Sequence, residues 1–128
     1  LDYGCGSGIL AISAHKLGAK KVLGVDIDPQ AIIASNENST LNKCDIDWIN
    51  TDKDFKFHAD LVVANILSSA LTVLAPLLAS YCRSKGKIAL SGILDSQEIQ
   101  IKKVYAPWFE FEKTLKNNGW VCLSGIKK

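Results

Sequence analysis

The residues best suited to chemistry stand together in the stretch LDYGCGSGIL, where Gly4, Gly6 and Gly8 alternate with small residues behind Asp2. Glycines lack side chains, so they let the backbone turn sharply and let a ligand approach closely. If a helix follows this loop, the N–H groups of its first turn offer further hydrogen-bond donors. The pattern predicts a loop that holds a cofactor, with a structural turn that binds nothing as the alternative.

The spacing of the glycines distinguishes between cofactors. A dinucleotide fingerprint, G-x-G-x-x-G, would need its third glycine at position 9, which is Ile9. The observed pattern, D-x-G-x-G-x-G, instead resembles the first motif of class I S-adenosylmethionine-dependent methyltransferases. The resemblance implies that the loop wraps the methionine end of the cofactor and that Asp2 lies near its amino group. A carboxylate suits this positively charged ligand and would repel a diphosphate.

A second acid, Asp26, ends a predicted strand 18 residues beyond Gly8. A carboxylate at this place in a nucleotide-binding fold can accept hydrogen bonds from both ribose hydroxyls of an adenosine. The alternative is that Asp26 caps the next helix. Asp28 is better placed for capping, because it directly precedes Pro29, and proline suits the first helical position.

Asn65 ends the apolar run of another predicted strand. Ligands of open α/β sheets lie beyond the carboxyl ends of the strands, where the strand order reverses. In a methyltransferase-like sheet the first and fourth strands flank that point, so we expect Asn65 to face the loop from Gly4 to Gly8 across one crevice. Its side-chain carbonyl could accept a hydrogen bond from an amine substrate, or could satisfy loose backbone groups instead.

Other polar residues are weaker candidates. Asp52 could accept the exocyclic amine of an adenine, although an exposed turn aspartate is the preferred interpretation. Cys5 could be a nucleophile, but no histidine lies near it in sequence, so we interpret it as a small residue in a tight turn. The four cysteines include no CxxC pair and the two histidines lie far apart, which predicts neither a metal site nor a disulfide framework.

Short β-like runs alternate with helical runs along the chain. We predict helices at 9–17, 29–42, 68–81 and 97–104, and strands beginning at 21, 46, 59 and 87. Pro76 should break or kink the third helix, and Lys85 to Lys87 should form a turn. A terminal hairpin, 109–115 with 120–126, is predicted through Asn118-Gly119. This alternation predicts an α/β fold, Rossmann-like and mostly parallel, with an antiparallel C-terminal hairpin.

Composition limits the functional class. The 128 residues are 48% apolar with a net charge of +2, as expected of one globular domain and too weakly basic to indicate nucleic-acid binding. No apolar stretch is long enough to span a bilayer and no signal peptide is visible, so we expect a cytoplasmic protein. The oligomeric state is left open.

Four stretches, DYGCGSGILAISAHKLGAKKVLGVDIDPQAI, DLVVANIL, LAPLLA and LSGIL, resemble bacterial methyltransferases of the PrmA type, which modify the large-subunit ribosomal protein eleven. The resemblance covers nearly the whole chain. It implies that Gly4 contacts the cofactor, that Asp26 binds the ribose and that Asn65 lies in the active site. Asn-Ile-Leu-Ser at 65–68 fits an amino-group protein methyltransferase better than the Asn-Pro-Pro-Tyr that is frequent in enzymes acting on nucleobases or glutamine amides.

S-adenosylmethionine is the predicted cofactor and Asn65 is the predicted catalytic residue. Ile66 and Leu67 are predicted to bind the substrate. The predicted cofactor-binding residues are Asp2, Gly4, Cys5, Gly6, Gly8, Asp26, Ile27 and Asn65. The expected reaction is methyl transfer to lysine side chains or the N-terminal amine of ribosomal protein eleven, with no predicted general base. The alternatives are a methyltransferase for RNA or small molecules, a nucleotide-binding oxidoreductase, and a non-catalytic adenosine-binding domain.

The chain also departs from the family pattern at its start. The family carries a separate N-terminal domain that recognises the ribosomal protein, and a threonine-containing segment before the first strand. Neither is present here, and only Leu1 precedes Asp2. We therefore expect residues 1–128 to be an N-terminally truncated catalytic domain whose first strand is largely missing.

Overall fold

The computed structural model describes residues 1–51, 53 and 55–128, which form two compact units, 1–54 and 55–128. Asp52, a weak candidate for adenine contact, lies outside the described residues.

The first unit alternates strands and helices: β1 (Asp2–Tyr3), α1 (Ile9–Lys16), β2 (Leu23–Asp26), α2 (Pro29–Leu41) and β3 (Asp47–Asn50). The strands are parallel, with β2 between β1 and β3. Leu23 and Val25 of β2 are buried, as expected of a central parallel strand covered on both faces. The predicted strand–helix alternation is confirmed in this unit.

The start of α2 follows the sequence prediction. Asp28 is its N-cap and accepts a hydrogen bond from the N–H of Gln30 at 2.9 Å, and Pro29 is the first helical residue. This interaction satisfies one of the four N–H groups that a helix leaves unpaired at its start. The capping role is therefore confirmed for Asp28, and Asp26 is left with its carboxylate available for other partners.

The second unit contains β4 (Ala59–Asn65), α3 (Ser68–Tyr81), β5 (Cys82–Leu94), a 3₁₀ turn (Asp95–Gln97), α4 (Glu98–Tyr105), β6 (Phe109–Phe111), β7 (Leu115–Asn117) and β8 (Trp120–Lys127). β4 and β5 are parallel, whereas β8 runs antiparallel to β5, β6 and β7. Asn118 and Gly119, both with positive φ, connect β7 to β8. The predicted terminal hairpin is confirmed, with its first arm divided into two short strands.

Two local features of this unit differ from the sequence prediction. Pro76 does not break α3, which is continuous from Ser68 to Tyr81, and a kink there stays a prediction. Proline removes one backbone hydrogen bond, but Leu71, Ala75 and Leu78 on the same helix are fully buried. Burying a large apolar side chain contributes about 1.5–3 kcal/mol, so the packing of this face outweighs the lost bond.

Lys85 to Lys87 do not form a turn that ends an element, because β5 runs through them. The parallel register changes from Ala59 opposite Cys82 to Leu61 opposite Lys87, so β5 takes up extra residues in between. Lys85 has a φ of 63°, a left-handed conformation that residues outside turns seldom adopt. These residues form an irregularity inside a long strand and do not end it, because β5 pairs with β4 again from Lys87 onwards.

Candidate functional site

The glycine loop is folded onto the end of β2 by its own backbone. The N–H groups of Gly4 and Cys5 both donate to the carbonyl oxygen of Val25, at 2.8 and 3.0 Å. The N–H of Gly8 donates to the carbonyl of Cys5 at 2.8 Å, and α1 begins directly afterwards. Gly4, Gly6 and Gly8 all have positive φ, so the predicted sharp turn between a strand and a helix is confirmed.

Asp26 is hydrogen-bonded directly to this loop. Its Oδ2 accepts the N–H of Gly6 at 2.9 Å, and its Oδ1 accepts the N–H of Asp28 at 3.0 Å. A carboxylate has about four acceptor positions, so two remain for a ligand. The side chain is half-buried and thus still open to solvent. Two free acceptor positions on a carboxylate beside a glycine loop fit the two hydroxyls of a ribose.

Asp2 has a structural partner at the start of α1. The residue is only 2% exposed, and its Oδ2 accepts the N–H of Ala11 in the first helical turn at 3.0 Å. The N-cap position itself is Gly8, which has no side chain to offer. Burial raises the pKa of the Asp2 carboxyl to about 6. Asp2 therefore ties β1 to α1 beneath the loop, and its proximity to a cofactor amino group stays a prediction.

The side chain of Cys5 points into the protein. It is 6% exposed, and its Sγ lies 3.6 Å from Oγ of Ser35 on α2. Burial raises the pKa of the thiol to about 11, so the thiolate needed for nucleophilic attack is scarce at neutral pH. These observations agree with the interpretation of Cys5 as a small residue in a tight turn. Any contact with a cofactor would come from its backbone.

Two polar side chains of α2, which sequence reasoning missed, hold the carbonyl groups of the loop. Ser35 Oγ donates to the Gly6 carbonyl and Asn38 Nδ2 donates to the Ser7 carbonyl, each at 2.8 Å. Ser35 is fully buried. The only sequence signal for these two residues is weak: they are polar, and they lie three residues apart on a helix face that should pack on the sheet. Their effect is to fix the loop so that its carbonyl groups face α2.

Trp48 on β3 is a second residue that sequence reasoning missed. Its indole packs so closely that an added Cβ on Gly24 would lie 2.1 Å from it, and one on Gly8 would lie 2.7 Å from it. Its Nε1 donates to Ser39 Oγ at 3.2 Å. The ring therefore explains why both positions must be glycine, one on β2 and one in the loop.

The remaining candidate of the first unit, Ile27, directly follows Asp26 and is 67% exposed, so it presents an apolar side chain beside the carboxylate. A surface groove of about 640 Å³ also lies in this unit, lined by residues of α1 and α2 and by Ser7. It includes none of the predicted site residues. The chemistry of the carboxylate and the loop, rather than the size of this groove, identifies the candidate site.

Asn65 is the last residue of β4, in the second unit, and pairs with Ser91 of β5 in parallel register. It is exposed, Ile66 is half-buried, and Leu67 is 72% exposed. The carbonyl of Leu67 accepts the N–H of Leu71 in the first turn of α3. The predicted position of Asn65 at a strand end is confirmed, whereas its position opposite the glycine loop stays a prediction.

None of the helices in the part of the chain that the structure describes has the length and apolar character needed to cross a membrane. Within residues 1–51, 53 and 55–128, no three His, Cys, Asp or Glu side chains come together as a metal site would require.

Comparison with known proteins gives consistent matches. The family model described as ribosomal protein L11 methyltransferase (PrmA) matches residues 1–128. A ribosomal protein L11 methyltransferase from Thiobacillus denitrificans is 52% identical over 128 residues, which are 100% of this chain and 43% of that protein. The chain therefore spans less than half the length of this relative.

Solved structures share the fold. A ribosomal protein L11 methylase from Lactobacillus delbrueckii subsp. bulgaricus superposes with a TM-score of 0.94 at 40% identity, covering 99% of this chain and 68% of the other. An RNA methyltransferase from Salinibacter ruber in complex with S-adenosyl-L-homocysteine superposes with a TM-score of 0.78, covering 98% of this chain and 78% of the other. At 18% identity the latter shows the fold alone. The predicted Rossmann-like methyltransferase fold, mostly parallel with antiparallel C-terminal strands, is confirmed.

Proposed function

The chain belongs to the ribosomal protein L11 methyltransferase (PrmA) family, and from this membership and the site geometry we propose that the protein containing it transfers methyl groups from S-adenosylmethionine to amino groups of ribosomal protein L11. The observation that carries the proposal is the hydrogen bond from Gly6 N–H to Asp26 Oδ2, which joins the glycine loop and the predicted ribose acid in one site. The acceptor amines would be lysine side chains, the N-terminal amine, or both.

The residues of the first unit fit this cofactor. Asp26 uses two of about four acceptor positions on backbone N–H groups, which leaves two for ribose hydroxyls. Gly4, Gly6 and Gly8 would allow the methionine end to approach the backbone, and the exposed Ile27 would offer an apolar surface to the adenosine. Bound here, S-adenosylmethionine supplies an electrophilic methyl group on its sulfonium sulfur.

Asn65 is the proposed catalytic residue. Its side-chain oxygen would accept a hydrogen bond from the acceptor amine and so orient the nitrogen lone pair, while Ile66 and Leu67 would line the substrate side. Positioning of this kind contributes up to roughly 7–11 kcal/mol in well-aligned systems. A lysine must also lose a proton before it reacts, since its free pKa is about 10.4, and partial desolvation against apolar side chains favours the neutral amine.

The choice of substrate rests on the family and on the Asn65-Ile66-Leu67-Ser68 stretch. Ribosomal protein L11 is the substrate in the description of the family. The proposed cytoplasmic location follows from this partner, because ribosomes carry out translation in that compartment. Direct binding of nucleic acid is not part of the proposal, since the net charge of +2 provides little attraction for phosphates.

Two measurements on the protein that contains this chain test the proposal. Calorimetric titration with S-adenosylmethionine should show stoichiometric binding, and absence of binding would contradict the cofactor assignment. Mass spectrometry of purified ribosomal protein L11 after incubation with enzyme and cofactor should then show added methyl groups on amines. L11 with its amines acetylated serves as the control, and ribosomal RNA as a competing acceptor. Methylation of the RNA alone would reject the protein substrate.

A further inference from the structure

The strand next to Asn65 contains an irregularity at the level of the proposed active site. Leu90 of β5 pairs with Leu123 of β8, but Ile93 pairs with Val121, so three steps along β5 match only two along β8. This is a β-bulge at Ser91 and Gly92. Bulges occur preferentially beside active sites, where they re-aim a side chain or end a pairing.

Gly92 in this bulge supports the residues that follow Asn65. A Cβ added at position 92 would lie 2.3 Å from the carbonyl oxygen of Ile66, 2.9 Å from its carbonyl carbon and 3.1 Å from its nitrogen. Gly92 also has a φ of 80°, which side chains rarely adopt. Both peptide groups that flank the α-carbon of Ile66 therefore rest against the bare Cα of Gly92.

From this contact we infer that Gly92 is a positioning residue that sets the direction of the Asn65 side chain through the Ile66 backbone. The inference rests on the proposed function, because it assigns Gly92 to the orientation of the acceptor amine. Asn65 and Ser91 form the last parallel pair of β4 and β5, so Ile66 lies just beyond the paired register. The bare Cα of Gly92 allows the Ile66 backbone to take this path.

A methyl group added at position 92 would displace the Ile66 backbone. The added Cβ would lie 2.3 Å from the Ile66 carbonyl oxygen. To restore an ordinary van der Waals separation between these two atoms, the carbonyl must shift by about 1 Å. A misplacement of that size can lower the rate of a reaction by about 100-fold. The 2.3 Å contact is with the carbonyl of the Ile66–Leu67 peptide, whereas the Ile66 nitrogen at 3.1 Å belongs to the Asn65–Ile66 peptide. Because this nitrogen is bonded directly to Asn65, a displacement of the Ile66 backbone is passed through it to the Asn65 side chain.

The test compares Gly92→Ala with Gly119→Ala in the protein that contains this chain. Gly119 has a φ of 81° and is in the same unit, but a Cβ there would meet nothing within 4 Å. The two variants share the cost of a left-handed alanine and differ in the Ile66 contact. With L11 as acceptor, we expect Gly92→Ala to lower kcat about 100-fold, with the dissociation constant of S-adenosylmethionine unchanged. Gly119→Ala should retain kcat within about twofold.

A double-mutant cycle with Asn65→Ala separates positioning from a general structural role. If Gly92 acts through Asn65, Gly92→Ala should have little further effect on kcat once Asn65 has been replaced. Full additivity, or equal kcat losses in Gly92→Ala and Gly119→Ala, would overturn the inference. Failure of Gly92→Ala to fold, where Gly119→Ala folds by circular dichroism, would also overturn it, because the contact would then serve the fold.

The outcome for the proposed function is distinct from the outcome for Gly92. Methyl transfer by the unsubstituted protein is measured first, and its absence rejects the proposed function. A crystal structure of Gly92→Ala provides a readout independent of activity. We expect a displaced Ile66 carbonyl and a rotated Asn65 side chain, and an unchanged Asn65 would reject the positioning role even if turnover were lost.

Discussion

Replacing Asp26 by asparagine should weaken cofactor binding by a calculable amount. Asp26 accepts the N–H groups of Gly6 and Asp28, one on each carboxylate oxygen, and keeps about two acceptor positions free. Asparagine retains only one oxygen, so one position offered to a ribose hydroxyl is lost and one backbone N–H faces an NH₂ group. A hydrogen bond to a charged group contributes about 1.5–3 kcal/mol. We therefore expect the Kd of S-adenosylmethionine to rise about 10- to 150-fold.

The assay is calorimetric titration of Asp26→Asn alongside Asp28→Asn. Asp28 lies two residues away and caps α2 through Gln30. Asparagine is about as good an N-cap as aspartate, so the control removes a neighbouring charge while keeping the helix start. Its Kd should stay within about threefold of the original, because screening weakens the effect of an exposed charge. The reasoning is refuted if Asp26→Asn binds as tightly as the original protein, or if both variants weaken binding equally.

Three further predictions follow from the same structure. Asn65→Ala should lower methyl-transfer turnover far more than cofactor affinity, which steady-state kinetics and calorimetry measure separately. Gly24→Ala should lower the free energy of unfolding by about 1–3 kcal/mol in a denaturant titration, because its Cβ would meet the Trp48 indole at 2.1 Å. Thermal unfolding at a series of pH values should show that Asp2→Asn becomes more stable relative to the original protein between about pH 4 and about pH 6. Burial raises the pKa of Asp2, so the folded protein binds its proton more tightly than the unfolded chain, and that stabilisation is lost as pH rises through this window.

Each of these predictions has a contradicting outcome. Equal losses of turnover and affinity in Asn65→Ala would argue against a substrate-side role. For Gly24→Ala, adding the Trp48→Leu substitution should reduce the loss of unfolding free energy, because the smaller side chain leaves space for the methyl group. If the loss is not reduced, the indole is not its cause. A stability difference between Asp2→Asn and the original protein that does not change with pH would show that Asp2 titrates normally.

The sequence predicted the elements and several of their boundaries because the relevant signals are local. Asp28-Pro29 identifies the start of α2 within two residues of chain, and Asn118-Gly119 identifies a two-residue hairpin turn. Asp26 could be assigned to a strand end because apolar residues precede it and a helix start follows it. In each case the residue types alone restrict the backbone, so neighbours in sequence suffice.

Local signals misled where tertiary packing was stronger. Pro76 is a helix breaker in isolation, yet the buried face of α3 carries the helix through it. Lys85 to Lys87 have turn character, yet β5 continues past them because its far side pairs with β4 and β8. Both errors have one cause: the propensity of a few residues is worth less than the burial and pairing of a whole element.

The order of residue types is enough to identify the groups that can do chemistry: a glycine loop behind an acid, a carboxylate at one strand end and an amide at another. How these groups are held depends on tertiary contacts. Ser35 comes to Gly6, Trp48 to Gly24 and Gly92 to Ile66 from 24 to 29 residues away along the chain. Contacts at such separations depend on how strands and helices pack, and neither partner has a pattern in sequence that identifies the other.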